Sequence, residues 1–334
     1  MAVGGRPPRC DCRLGRADDL RAEVYLSFDG AAIEAVVGPI SLSGTISGPE
    51  CIRGTTLPVT TRFVDLGPGP RPAARAILTE PSYWTPESPS LYRIDARLEV
   101  AANEVSYRGL VGLRRSGVRG RSFWLDGRRW VPRGIPCPDA VAELDAILGT
   151  GAVAVIEEPS DPICTAADLS GLAIAARVGL QSPYETAVAG LEAWSRHPSV
   201  VLAILPAGRE DLAAAVRNSK GTMLVGIEAN GSTLRRKQAA EDRPGLDFIA
   251  VRLPPDAVPD VSWRDSDPGL PLVALRESAS GPGALPVQAR KDCDRLQADL
   301  AAWNCDGRQS PPTWDWAGYL IVEGPIIQGR GQPT

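Results

Sequence analysis

Carboxylates close several short apolar runs of this chain: Glu157 and Glu158 end GAVAVIEE, Glu228 ends TMLVGIE, Glu277 ends LPLVALRE, and Glu323 follows GYLIV. Two carboxyl groups brought together can divide the work of proton donor and nucleophile. Acidic residues at strand ends are also ordinary solvated caps of loops, so a chemical role requires at least two of them to converge. The single histidine, His197, precedes its apolar run instead of ending it. With no second histidine, a Ser-His-Asp or Cys-His relay is disfavoured, and His197 reads as structural. Cys10 and Cys12 are the one close pair among seven cysteines. Metal binding by that pair would need two further ligands at compatible spacing. The odd cysteine count fits reduced thiols better than a disulfide framework.

The elements that must position these residues fall into two rhythms. Residues 1–20 are polar and Arg-rich and read as a flexible tail. From about 21 to 120, short β-rich runs separated by Gly, Pro, Asp or Ser (AEVYLSF, AIEAVVG, ISLSGTI, LPVTTRFVDL, AARAILT, LYRIDARLEV, SYRGLVGL) predict an antiparallel, immunoglobulin-like β-sandwich. From 121 to 334, runs apolar at consecutive positions alternate with segments at helical spacing such as DAVAELDAIL and CDRLQADLAAW. That pattern predicts parallel strands covered on both faces. Counting VPRGI as the first gives eight strands in roughly 205 residues, the lower limit for a (β/α)8 TIM barrel, so the loops must be short.

Composition narrows the function. With 36 basic and 40 acidic residues interspersed and a net charge of -4, the chain has no electrostatic footprint for nucleic acid or an anionic membrane. No run approaches the ~18 apolar residues of a membrane span. The amino terminus, MAVGGRPPRCDCRL, lacks the apolar stretch of a secretion signal, so the expectation is a cytoplasmic protein. No cofactor is expected.

The junction is the most specific stretch. YWTPESPSLYRIDARLEV followed by GLRRSGVRGRSFWLDGRRWVPRGI resembles the handover from sandwich to barrel in glycoside hydrolase family 2 (β-galactosidases, β-glucuronidases and β-mannosidases). The matching residues are Trp84, Pro86, Glu87, Pro89, Leu91, Tyr92, Gly112, Arg114, Phe123, Leu125, Gly127 and the Arg133-Gly134 pair. ADLSGLAIAA resembles the family's third strand and its lead-in, and SRHPSVVLAIL its fourth-strand motif. The resemblance spans about residues 80–325 and leaves no room for the family's usual amino-terminal jelly roll.

The resemblance implies two carboxyl groups ~5–5.5 Å apart at the carboxyl ends of the strands. Its Asn-Glu pair after strand four, which carries the acid/base, falls on Ala207 and Gly208. The Asn and Arg of strand two fall on Ala152 and Val155, the Asn and Tyr after strand six on Arg252 and Pro254, and the strand-eight aromatic on Val322. The nucleophile position is ambiguous: strict counting from Pro271 lands on Arg276, Glu277 lies one residue later, and a bulge could re-aim Glu277 into the site. Glu157, Glu158, Glu228, Arg252 and Glu323 are then expected around the barrel mouth as ligand-binding residues. Trp84, Trp124 and Trp130 read as packing, whereas Trp194, Trp263, Trp303, Trp314 and Trp316 include candidates for a sugar-stacking surface.

Three readings follow. In the first, the barrel is catalytically degenerate and binds carbohydrate or protein. In the second, it is an active β-glycosidase with Glu277 as nucleophile and Glu210 or Glu228 as acid. In the third, it is a scaffold whose partners bind elsewhere. The first is preferred, because the polar groups that would position a sugar are largely replaced.

Overall fold

The computed structural model describes residues 9–29, 40–67, 69, 71–100, 103–137, 140–230, 245–260, 263, 269–281, 283–305, 312 and 314–323. Eight strands open the chain: β1 (Arg9–Ala17), β2 (Arg21–Asp29), β3 (Ile40–Glu50), β4 (Val59–Arg62), β5 (Val64–Asp65), β6 (Ala73–Thr79), β7 (Leu91–Val100) and β8 (Asn103–Val111). They form two antiparallel four-stranded sheets, ordered β1-β2-β6-β5 and β4-β3-β7-β8. Alternation aims one side of each strand inward. Val24, Leu26 and Phe28 of β2 and Leu78 of β6 meet Leu42 and Ile46 of β3 and Ile94 and Leu98 of β7 in one core.

The stretch expected to be a tail departs from that reading, because Arg9–Ala17 pairs antiparallel with β2. Its arginines mask a period-2 pattern in which Cys10, Cys12 and Leu14 pack against the sandwich core. AIEAVVG lies outside the described residues.

A three-stranded sheet follows, made of β9 (Ser116–Arg119), β10 (Ser122–Leu125) and β11 (Arg128–Trp130) in the order β11-β10-β9. Then come β12 (Arg133–Pro136), β13 (Val153–Glu157), β14 (Ile174–Arg177), β15 (Val200–Leu205), β16 (Leu224–Asn230), β17 (Phe248–Leu253), β18 (Leu272–Glu277) and β19 (Gly318–Val322). These eight are parallel neighbours in sequence order and close into a barrel.

Helices α1 (Ala140–Thr150), α2 (Asp161–Ser170), α3 (Tyr184–Trp194), α4 (Glu210–Val216) and α5 (Pro286–Asn304) follow β12, β13, β14, β15 and β18. The described residues between β17 and β18 hold no α-helix, so the strict strand-helix alternation is incomplete among the described residues. Helix α2 has no clear apolar period, but its ends are marked in sequence: Ser160 at the N-cap, Pro162 in the first turn and Gly171 in the left-handed conformation at the C-cap.

The barrel interior is filled. Val153, Val155, Ala173, Ala175, Leu224, Phe248, Ala250, Val273, Leu275 and Leu320 form one buried cluster, which Phe123 of β10 joins. Phe123 meets Phe248 edge-on with ring centroids 5.4 Å apart, plugging the end where β17 begins. A Cβ on Gly134 would overlap Leu320 and Val155, and one on Gly226 would overlap the Phe248 ring.

The junction motif docks the sandwich onto this same end. Trp84 Nε1 donates to the Asp168 carbonyl at 2.9 Å, and Gly112 leaves just enough room for Pro198. The buried Arg114 guanidinium donates to the carbonyls of His197, Pro198 and Val200 at the start of β15. Burial, opposed by the charge of Asp168, lowers the Arg114 pKa to about 10. His197 Nδ1 lies 2.7 Å from Asp168 Oδ2, and its Nε2 lies 3.2 Å from Asp161 Oδ1. No helix among the described residues is long and apolar enough to cross a membrane.

Candidate functional site at the barrel mouth

The alternation of each barrel strand decides which charged residues reach its carboxyl-terminal mouth. In β13 and β14 the interior row is Val153, Val155 and Ala173, Ala175, so Glu157 and Arg177 come next on it. In β16 and β17 it is Leu224 and Phe248, Ala250, bringing Glu228 and Arg252 onto the same row. In β18 it is Val273 and Leu275, then Glu277. Five charges of alternating sign therefore stand above the apolar plug: Glu157, Arg177, Glu228, Arg252 and Glu277.

Their pairing is uneven. Arg177 is saturated: Nε and Nη2 both donate to Glu228 Oε1, at 3.2 and 2.7 Å, while Nη1 lies 3.6 Å from Glu157 Oε2. Paired N–H donors on a carboxylate are strong charge-assisted bonds. Glu228 and Arg177 are correspondingly enclosed, with side chains 16% and 18% exposed. Arg252 is held loosely, its Nη1 3.9 Å from Glu277 Oε1 and its side chain 36% exposed. An ion pair of that length and exposure contributes no more than about 1 kcal/mol. The buried Nε of Arg252 has no hydrogen-bond partner among the described residues, as is true of Arg133 and Arg276, but Arg276 is held by two short bonds through its other nitrogens and Arg252 is not. Buried donors are nearly always satisfied, and leaving one unmade costs about 1–3 kcal/mol.

Several sequence expectations are corrected at this site. Glu277 reaches the inward row without a bulge, since the β17–β18 and β18–β19 pairings run in unbroken register. Arg276, the strict-count nucleophile position, turns outward, donating to Asp299 on α5 and to the Ala257 carbonyl, each at 2.7 Å. Glu158 is not in the mouth row either. It adopts φ 48°, and its Oε1 accepts from Ser182 Oγ and from Gly179 N at 3.3 Å, so it ties down the β14–α3 loop. Glu323 lies off the interior row that carries Leu320 and Val322. Glu210 is exposed in the first turn of α4.

The five tryptophans considered for sugar stacking are buried, none more than 7% exposed. Trp194 donates to the Pro159 carbonyl at 2.9 Å, and Trp314 meets Trp303 of α5 at a tilt and Trp316 edge-on. Sequence reading missed Arg177 altogether. Its signal was the alternation LAIAARV, which puts it on the row of Ala173 and Ala175.

The position that the sequence resemblance gives to the acid carries no functional group. After β15 the chain passes through Ala207 and Gly208, both exposed. Gly208 has φ 82°, in the left-handed region that glycine adopts without strain. No group of three or more His, Cys, Asp or Glu suited to a metal occurs among the described residues. A cleft of about 1040 Å3 lies at the opposite end of the barrel, between the edges of β1 and β8 and the starts of the barrel strands, lined by Tyr107, Leu110, Leu169 and His197.

A sandwich docked on the closed end of a parallel eight-stranded barrel, with charges gathered at the open end, is the fold of the family 2 glycoside hydrolases. Among solved structures of that fold, Bacteroides uniformis β-glucuronidase 2 superposes with a TM-score of 0.59 at 13% identity, covering 94% of this chain and 45% of its own. A glycosyl hydrolase family 2 member from Bacteroides cellulosilyticus gives 0.63 at 15%, covering 94% and 43%. The β-D-glucuronidase of Dictyoglomus thermophilum gives 0.57 at 14%, covering 94% and 61%. This chain thus spans about half the length of the structures it resembles. No family model and no curated protein matches it.

Proposed function

We propose that this protein is a glycosidase-fold binding module, cytoplasmic, whose barrel mouth receives a carbohydrate or a carbohydrate-bearing partner without cleaving it. The observation that carries the reading is the acid position: Gly208, in a conformation that favours glycine, offers no proton donor. The surrounding mouth supports it. Glu228 is engaged as the ion-pair partner of Arg177, and Val155 and Val322, which the resemblance aligns with polar positions of the family, are buried apolar residues. General acid catalysis is worth about 10²–10⁴ in rate, and losing it together with substrate-positioning groups leaves little turnover. An odd count of seven cysteines fits a reducing compartment.

One observation favours the second reading, an active enzyme. Glu228 and Glu277 share the inward row, and a swing of Arg177 would free a carboxyl pair. Hydrolysis of a panel of chromogenic β-glycosides, with Glu277→Gln as control, separates the two. The binding reading expects no turnover beyond that of the variant. Turnover abolished by Glu277→Gln would establish a glycosidase with relocated carboxylates.

A further inference from the structure

We propose that Arg252 is an anion receptor at the barrel mouth, so that the ligand held there carries a carboxylate, sulfate or phosphate group. This rests on the reading of the mouth as a binding site and specifies what it binds. Two arginines stand on the inward row, and the mouth treats them differently. Arg177 has its donors committed to Glu228 and Glu157 and serves as an internal counter-ion. Arg252 makes a single long contact to Glu277, and its Nε is buried without an acceptor. A guanidinium presents its donors as a planar fork, and the fork is completed by two oxygens of one anionic group.

The position is suited to that task. Arg252 follows Phe248 and Ala250 on the inward row, one step nearer the carboxyl end of β17, and its side chain is 36% exposed. Arg177 engages Glu228 closely and Glu157 only at 3.6 Å, so Glu157, 61% exposed, and Glu277 keep oxygens available as rim acceptors for hydroxyl groups. Glu277, at 3.9 Å, is close enough to compete with an incoming anion and too far to satisfy the fork. Removing its charge should therefore help the anion, which a purely structural ion pair would not do.

The test is calorimetric titration of the full chain with three probes: inorganic sulfate, a neutral hexose and the same hexose as its 6-sulfate. The sulfated hexose should bind more tightly than the neutral one, and the preference should weaken as salt rises. Arg252→Gln should lose about ten- to a hundredfold in affinity for it, Arg252→Lys should lose less, and Glu277→Gln should bind it more tightly than wild type. Sulfate alone, competing for the same site, would place the recognition in the anion. A sulfated hexose blocked only as well as the neutral one would place it in the sugar and overturn the inference. Equal binding of both hexoses, or sulfated-hexose binding unaffected by Arg252→Gln, would also overturn it while leaving the binding-module reading intact. Hydrolysis in the chromogenic panel would overturn that reading alone; an anion preference confined to KM and lost in Arg252→Gln would still stand.

Discussion

The two ends of the barrel solve the same physical problem, charged side chains next to a dry interior, in opposite ways. At the amino-terminal end the charges of the sandwich junction have their partners: Arg114 is capped by three carbonyls, Asp168 accepts from Ser199 N at 2.9 Å, and His197 is held between two aspartates. At the mouth, Arg252 keeps a buried nitrogen without an acceptor and a contact of 3.9 Å. Close pairing is what a permanent junction requires, and a guanidinium held by one long contact is what leaves room for a ligand.

The largest effect should come from breaking the satisfied end. Arg114→Met strands three carbonyls in a buried interface and removes the positive charge near Asp168, and should cost about 3–5 kcal/mol in chemical denaturation. An effect within 1 kcal/mol would mean the junction is not what holds the two parts together. His197→Gln comes next and is read by pH. Burial pulls the His197 pKa down, but the hydrogen bonds and charges of Asp168 and Asp161 outweigh it, and the net shift is upward. The stabilisation is then fully present below the unfolded pKa of about 6.5 and is lost as pH rises through the folded value. Wild-type melting temperature should fall across that window, and the variant should lose that slope. A slope unchanged in the variant would assign it to other groups.

At the mouth the stability effects should be smaller. Gly208→Glu puts a side chain into open space at positive φ, costing about 1 kcal/mol in backbone strain, and on the binding reading should not create hydrolysis, because that reading counts Val155 and Val322 as lost sugar contacts. Turnover gained by this single change would show that only the acid is missing. Glu277→Gln should shift stability by less than about 1 kcal/mol, as suits a loose, partly exposed pair. A larger loss would show that the Arg252–Glu277 pair belongs to the scaffold.

The contrast also explains what was legible in the sequence. The junction could be read residue by residue because docking restricts residue type: Gly112 has no space for a Cβ against Pro198, and Trp84 must reach a carbonyl across the interface. The eight barrel strands announced themselves as consecutive apolar runs. The mouth was half legible, since strand ends named Glu157, Glu228 and Glu277 but period-2 parity alone separates inward Glu277 from outward Arg276. Arg177 escaped because its role depends on Glu228, two strands away and 51 residues on. Strand β1 escaped because arginines on its solvent face hide the buried alternation.

The central claim, that the mouth binds without cleaving, is tested most directly by covalent trapping. A cyclophellitol-6-carboxylate aziridine is found covalently bound in Bacteroides uniformis β-glucuronidase 2. After incubation of this protein with that reagent, intact-mass spectrometry should show the unmodified chain, with Gly208 offering no acid to assist ring opening. An adduct of one equivalent mapping to Glu277, and absent in Glu277→Gln, would contradict the account and establish a working nucleophile.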